Sequence, residues 1–139
     1  MGISVSAMNS KIPSKGRPYG GTAILWKKTL ANLIATHDCH DPRLSAVTVT
    51  LTSENNSLLI INCYFPTADK PDEQSEYLGK ISSIVENSSS SCYVICGDFN
   101  ISPSSSNFLE LKQLAHDLGL VILDVEKLSP DSLVNLIIR

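Results

Sequence analysis

Cys92-Tyr93-Val94-Ile95-Cys96-Gly97-Asp98-Phe99-Asn100 decides how this chain reads. A short apolar run passes straight into a glycine, a carboxylate, an aromatic ring and an amide. The run is too short for a typical helix and suits a buried strand. Side chains alternate along a strand, so Asp98 and Asn100 should face one side and Phe99 the other. A carboxylate and an amide then converge on one spot while the ring packs away from it. Gly97 leaves room for close backbone approach. A carboxylate held rigidly at a sheet end can orient or deprotonate a water. An amide beside it can donate to a phosphate oxygen. The same residues also fit a plain turn, with Asp98 capping local backbone N–H groups.

Working upstream, Leu58 to Phe65 is apolar almost throughout and suits a strand covered on both faces. It ends in Asn62-Cys63-Tyr64-Phe65-Pro66, where Tyr64 offers a hydroxyl at a second strand end. A core tyrosine bonded to backbone is the structural alternative. Leu44 to Leu51 alternates apolar and polar residues, and Glu54 to Ser57 is a turn signal, so the two segments predict an antiparallel hairpin. Gly20-Gly21 opens Thr22 to Trp26, read as a buried strand, and Leu33 to Thr36 is a weaker one. From Asp72 the period becomes helical, with Tyr77, Ile81, Ile84 and Val85 on one face and acidic Asp72 and Glu73 favouring the N-terminus. The serines 88 to 91 end that helix. Ser102 to Ser106 is a loop, and Asn107 to Leu118 a second amphipathic helix stopped by Gly119. Leu120 to Leu123 begins another strand. Strands followed by strand–helix–strand–helix–strand predict an α/β sandwich with mixed, largely antiparallel sheets.

The chain has 139 residues, 42% hydrophobic and 18% charged, enough apolar content for one folded domain. Eleven Lys+Arg against fourteen Asp+Glu give a net charge of −3. Any contact with DNA or RNA must therefore come from a local site, not from the overall field. Cys39, Cys63, Cys92 and Cys96 form no C-x-x-C pair and read as free thiols buried on strands, which suits a reducing compartment. No apolar stretch predicts a signal peptide or a membrane span. Without such a signal the N-x-S sequences at Asn55, Asn87 and Asn100 mean little, because glycosylation needs export. An intracellular protein, nuclear or cytoplasmic, is expected.

The strand VICGDFN, preceded by INCYFP with a helix between, resembles the endonuclease/exonuclease/phosphatase family. The upstream RPYGGTAILW is similar to the endonuclease domain of LINE-type (non-LTR) retrotransposons, where a GG-apolar strand, an N-x-Y-x-P strand end and a GDFN strand end come in this order. The matching segments run from Gly16 to Pro130. The resemblance implies a four-layer α/β/β/α sandwich, cleavage of phosphodiester or phosphomonoester bonds, DNA as partner and a divalent metal, usually Mg²⁺. By position it implies that Tyr64 contacts the scissile phosphate, Asp98 orients or activates the attacking water, and Asn100 supports it.

The chain departs from that pattern at both ends. The family's first strands carry the main metal-ligand glutamate, whereas residues 1–19 contain no Glu, and Ile3 to Met8 looks like the tail of an inner strand. The family's closing aspartate and S-D-H triplet have no counterpart. His37, His40 and His116 lie outside any such pattern; His37 and His40 read as loop residues and His116 as a solvated helix residue. The expected organisation is a truncated strand and loop over 1–19, a partial domain over 20–132 and a divergent end over 133–139, making the sandwich incomplete. No metal ligand is assigned. Asp38, Asp41 or Asp124 would have to substitute in an active enzyme. Otherwise catalysis is impaired, or the chain is a non-catalytic module pairing with itself or a partner through open sheet edges.

Overall fold

A computed structural model describes residues 1–5, 21–51, 56–123 and 136–138. Strands β1 (Gly2–Val5) and β2 (Thr22–Leu25) form a two-stranded antiparallel sheet. A 3₁₀ helix (Lys28–Leu33) leads into β3 (Ile34–His37), β4 (Leu44–Thr50) and β5 (Ser57–Tyr64). Helix α1 (Pro71–Glu86), β6 (Cys92–Asp98), α2 (Asn107–Asp117), β7 (Val121–Ile122) and β8 (Leu136–Ile138) follow. The large sheet has the order β3-β4-β5-β6-β8-β7. Among the described residues β5–β6 is its one parallel pair, so the mixed, largely antiparallel α/β architecture is as expected.

The predicted β4–β5 hairpin is present, with Leu44 opposite Cys63 and Thr50 opposite Ser57. Its turn lies partly outside the described residues. Period-two alternation then sorts the sheet's two faces. Leu44, Ala46, Leu59, Ile61, Cys63 and Ile95 are buried on one face, in a single core with Leu78, Ile81 and Val85 of α1 and Phe108, Leu111 and Ala115 of α2. The β1–β2 sheet covers part of the other face: Asn62 Nδ2 donates to the Ala23 carbonyl at 3.1 Å, and Ser45 and Val47 are buried there. The described residues thus make helices, a six-stranded sheet and a two-stranded sheet in layers.

Several local expectations need correction. The segment after Gly20-Gly21 is not a buried strand throughout: Thr22 is buried, but Leu25 is 80% exposed, because the outer face of the two-stranded sheet has no cover among the described residues. The stretch before β3 is a 3₁₀ helix with no buried residue, a short connector that no apolar period announces. His37 closes β3 instead of lying in a loop. Cys39 lies in a loop and only Cys63 is fully buried, although all four thiols are free. Leu136–Ile138 pairs with both β6 and β7, which leaves the reading of 133–139 as a divergent end untouched.

Helix α2 stops where Gly119 was expected to stop it. Gly119 has φ 64°, its N–H reaches the His116 carbonyl at 3.0 Å, and the Leu120 N–H reaches Ala115 at 2.6 Å. These two bonds make a Schellman cap, with Leu120 folding onto the core. Gly97 answers a stricter demand. It has φ 124°, and a Cβ there would run into the backbone carbonyl oxygen of Cys63 and lie 2.7 Å from its nitrogen. The close approach inferred for Gly97 is therefore between β6 and β5. Gly97→Ala should destabilise the fold by at least about 2 kcal/mol, read as a lower chemical-denaturation midpoint. Gly79, whose added Cβ would meet open space, is the control: Gly79→Ala should be neutral or stabilising.

Candidate active site

Because β5 and β6 run parallel, both chains leave the sheet at the same edge. Their register pairs Asn62 with Cys96 and Tyr64 with Asp98. Parity puts all four on the face opposite the helices, since Ile61 and Ile95 lie in the helical core. The two strand ends singled out in the sequence thus converge on one place. Phe99 packs away from it, fully buried, with its ring centroid 5.1 Å from that of Phe65. The alternation inferred for Asp98 and Phe99 therefore holds.

Asn100 arrives by a different route. The strand ends at Asp98, and Asn100 adopts φ 50° in the left-handed region, which asparagine tolerates better than most residues. Its N–H donates to Asp98 Oδ1 at 3.0 Å, and its Nδ2 donates to the Phe65 carbonyl at 2.9 Å. The capping turn is thus present, and the Asn100 amide is tied to the neighbouring strand exit. One Asp98 oxygen holds the turn and the other has no protein partner among the described residues. One hydrogen of the Asn100 amide ties β6's exit to β5's exit, leaving the second N–H and the amide oxygen. The Tyr64 hydroxyl also has no hydrogen-bond partner among the described residues.

Sequence reasoning missed Gln74. It is buried on α1 one turn before Leu78, and its Nε2 donates to both the Pro66 and the Asn100 carbonyls, each at 3.0 Å. A polar residue on the apolar face of a helix was the available signal. Gln74 cross-links the loops leaving β5 and β6 directly beneath Asn100. The Phe65 N–H, donating to the Asp98 carbonyl at 2.8 Å, closes the same junction.

Arg43 was also missed. Its carbonyl accepts the Tyr64 N–H at 2.9 Å, its Nη1 donates to the Tyr64 carbonyl at 3.2 Å, and its guanidinium carbon lies 5.2 Å from the Tyr64 ring centroid. The cue was its position just before β4: continuing the predicted hairpin one step past Leu44 sets it opposite Tyr64.

The residues considered as substitute ligands do not gather here. Asp41 accepts bonds from Tyr77 Oη at 3.0 Å, Lys80 Nζ at 2.9 Å and the Arg43 N–H at 2.8 Å. Burial pushes its pKa up, but these donors outweigh that and leave it below the ordinary carboxylate value. Burial and the Asp41 carboxylate raise the Tyr77 hydroxyl to about 12. Asp38 pairs with His40 at 3.1 Å on the surface, and His37 Nε2 bonds Thr48 Oγ1 at 2.7 Å. His116 lies 3.4 Å from Asp117, both exposed. Asp124 is outside the described residues. Among the described residues no three His, Cys, Asp or Glu side chains are grouped to hold a metal. One carboxylate, Asp98, with an amide already anchored to backbone, does not fit a magnesium site without further ligands.

Two measurements test this geometry. Gln74→Leu strands one buried and one part-buried carbonyl and should cost about 1–3 kcal/mol by denaturant titration, whereas a surface substitution such as Glu86→Gln should cost little. For Asp41 the sign follows from its lowered folded pKa. Its contribution is present above the unfolded carboxylate value of about 3.9 and is lost as pH falls through the folded value. The stability gap between wild type and Asp41→Asn should therefore be constant near neutrality and close below about pH 4. A gap that widens on acidification contradicts the assignment.

No helix among the described residues is long and apolar enough to cross a membrane. No curated protein matches the chain in sequence. Among solved structures it is similar to the endonuclease domain of TRAS1, a telomere-specific non-LTR retrotransposon, at 13% identity and a TM-score of 0.69 over 99% of this chain. It is also similar to the human Nocturnin catalytic domain, at 14% identity and a TM-score of 0.62 over 99% of this chain. The chain spans 64% and 60% of those two structures respectively. The sequence profile of the endonuclease/exonuclease/phosphatase family matches residues 5–132. The chain belongs to the endonuclease/exonuclease/phosphatase family.

Proposed function

We propose that this chain is a phosphodiester-hydrolysing domain of the retroelement-endonuclease type, acting on DNA, with its site at the paired ends of β5 and β6. The observation that carries the reading is the register that sets Tyr64 beside Asp98 on one face at the open edge of two parallel strands. Carboxyl ends of parallel strands are where α/β sheets present side chains to ligands. Asp98, with one oxygen holding the turn, has the other available to orient a water and accept its proton. The Tyr64 hydroxyl is placed to donate to a non-bridging phosphate oxygen. Asn100 keeps Asp98 in place through its own N–H and has one amide hydrogen left for the phosphate.

Members of this family use a divalent metal, usually Mg²⁺, to meet the charge on the phosphate and the leaving oxygen. The described residues supply only part of such a site. Phosphodiester chemistry depends on that charge stabilisation, and groups that act as a unit lose most of their effect when one is lacking. The activity of this chain by itself is therefore expected to be weak. An intracellular location, in nucleus or cytoplasm, is part of the same proposal.

A second reading has an observation of its own. Strand β3 forms an edge of the large sheet, and the exposed Leu30 and Leu33 lie in the segment leading into it. Open edges invite pairing with another chain. A stable dimer in sedimentation velocity, together with no cleavage, favours a binding module over a nuclease.

The deciding experiment is nicking of supercoiled plasmid with Mg²⁺ by the purified, folded chain beside Asp98→Asn and Tyr64→Phe. Slow nicking by wild type, lowered at least about a hundredfold in Asp98→Asn, supports the site. Equal nicking by wild type and Asp98→Asn removes it.

A further inference from the structure

Arg43, Tyr64 and Asp98 form one row across three neighbouring strands. The last paired residues of β4 and β5 are Leu44 and Cys63, and both point into the helical core. One step further, Arg43, in the turn before β4, stands opposite Tyr64, whose N–H bonds the Arg43 carbonyl, and alternation turns Tyr64 away from the helical core. Tyr64 in turn pairs with Asp98 on β6. The row therefore holds a guanidinium, a phenol and a carboxylate, the phenol and the carboxylate on the side of the sheet away from the helices.

The guanidinium is oriented but not neutralised. A single Nη1 hydrogen bond to the Tyr64 carbonyl and its seat near the Tyr64 ring fix its direction. No carboxylate among the described residues forms an ion pair with it. Asp41, two residues away, uses its oxygens on Tyr77, Lys80 and the Arg43 backbone N–H. The nearest charges include another cation, since Lys70, after β5, is close enough to feel Arg43's repulsion. A half-buried, pre-oriented arginine with most of its donors unused calls for an anion, and the planar fork matches the oxygens of a phosphate.

We infer that Arg43 is a phosphate-binding residue, clasping the DNA phosphodiester seated at Tyr64 and Asp98. This rests on the phosphodiester reading above and extends it with a source of positive charge supplied by the chain itself. In a protein of net charge −3, one well-placed guanidinium at the reacting row matters more than the overall field. The competing role is a purely structural clamp on the hairpin end, which the same hydrogen bond would also serve.

The test is binding of a short fluorescein-labelled DNA duplex in EDTA, by anisotropy across a series of NaCl concentrations, for wild type, Arg43→Gln and Arg43→Lys. Arg43→Gln should weaken binding about tenfold and reduce the slope of log affinity against log salt by about one. Arg43→Lys should keep the slope while losing part of the affinity, because an ammonium retains the charge but not the fork. If wild type binds and folded Arg43→Gln matches it in affinity and slope, Arg43 is only a clamp and the Tyr64–Asp98 reading stands without it. If wild type does not bind DNA, both fall. Should Arg43→Gln not fold, phenylglyoxal labelling of wild type, read by peptide mass, gives the answer. Labelling of Arg43 slowed by the duplex supports the inference, and an unchanged rate overturns it.

Discussion

The parallel pairing of β5 with β6 is the constraint on which the rest depends. It brings two strand ends, separated in sequence by a whole helix, to the same edge of the sheet. Gly97 makes the pairing tight enough, because any side chain there would strike the backbone of Cys63. Beyond the last pair, the Phe65 N–H to the Asp98 carbonyl, the Asn100 amide to the Phe65 carbonyl and Gln74 to the Pro66 and Asn100 carbonyls lock the two exits together. These bonds are shielded and partly buried, so each broken one leaves an unsatisfied polar group. Rigid side-chain placement at Tyr64 and Asp98 follows.

The helices serve that junction rather than the chemistry directly. Helix α1 carries Leu78, Ile81 and Val85 into the core and Gln74 under the site, so one face both packs and positions. Asn107, at the start of α2, donates to the Pro71 carbonyl at 2.8 Å and fixes the two helix starts to each other. On the opposite side, Tyr77 and Lys80 hold Asp41, which anchors the loop leading to Arg43 and β4. Packing, polar cross-links and the site row are thus one connected structure.

Much of this was legible in the sequence because it is periodic. The alternation of Leu44 to Leu51, the helical spacing of Ile81 and Val85 and the Gly119 stop identify elements without any partner being known. GDFN and N-x-Y-x-P named Tyr64, Asp98 and Asn100 because polar residues closing apolar strands are conspicuous. What stayed hidden depends on register and on cover. Leu25 looks like core until its sheet proves open on the outer side. What Gln74 holds shows only once β5 and β6 are set side by side, and Arg43 looks like an ordinary surface residue until the hairpin is extended by one residue. Leu136–Ile138 gives too short a pattern to announce a strand inserted between β6 and β7.

The most direct measurement is a crystal structure of the chain with a short DNA duplex bound in the absence of metal. A phosphate should lie within about 3.5 Å of the Tyr64 hydroxyl and the Arg43 guanidinium, with a water between it and the Asp98 carboxylate. DNA seated elsewhere, with Tyr64, Asp98 and Arg43 clear of any phosphate, would show that the convergence of the two strand ends serves the fold and not a phosphodiester.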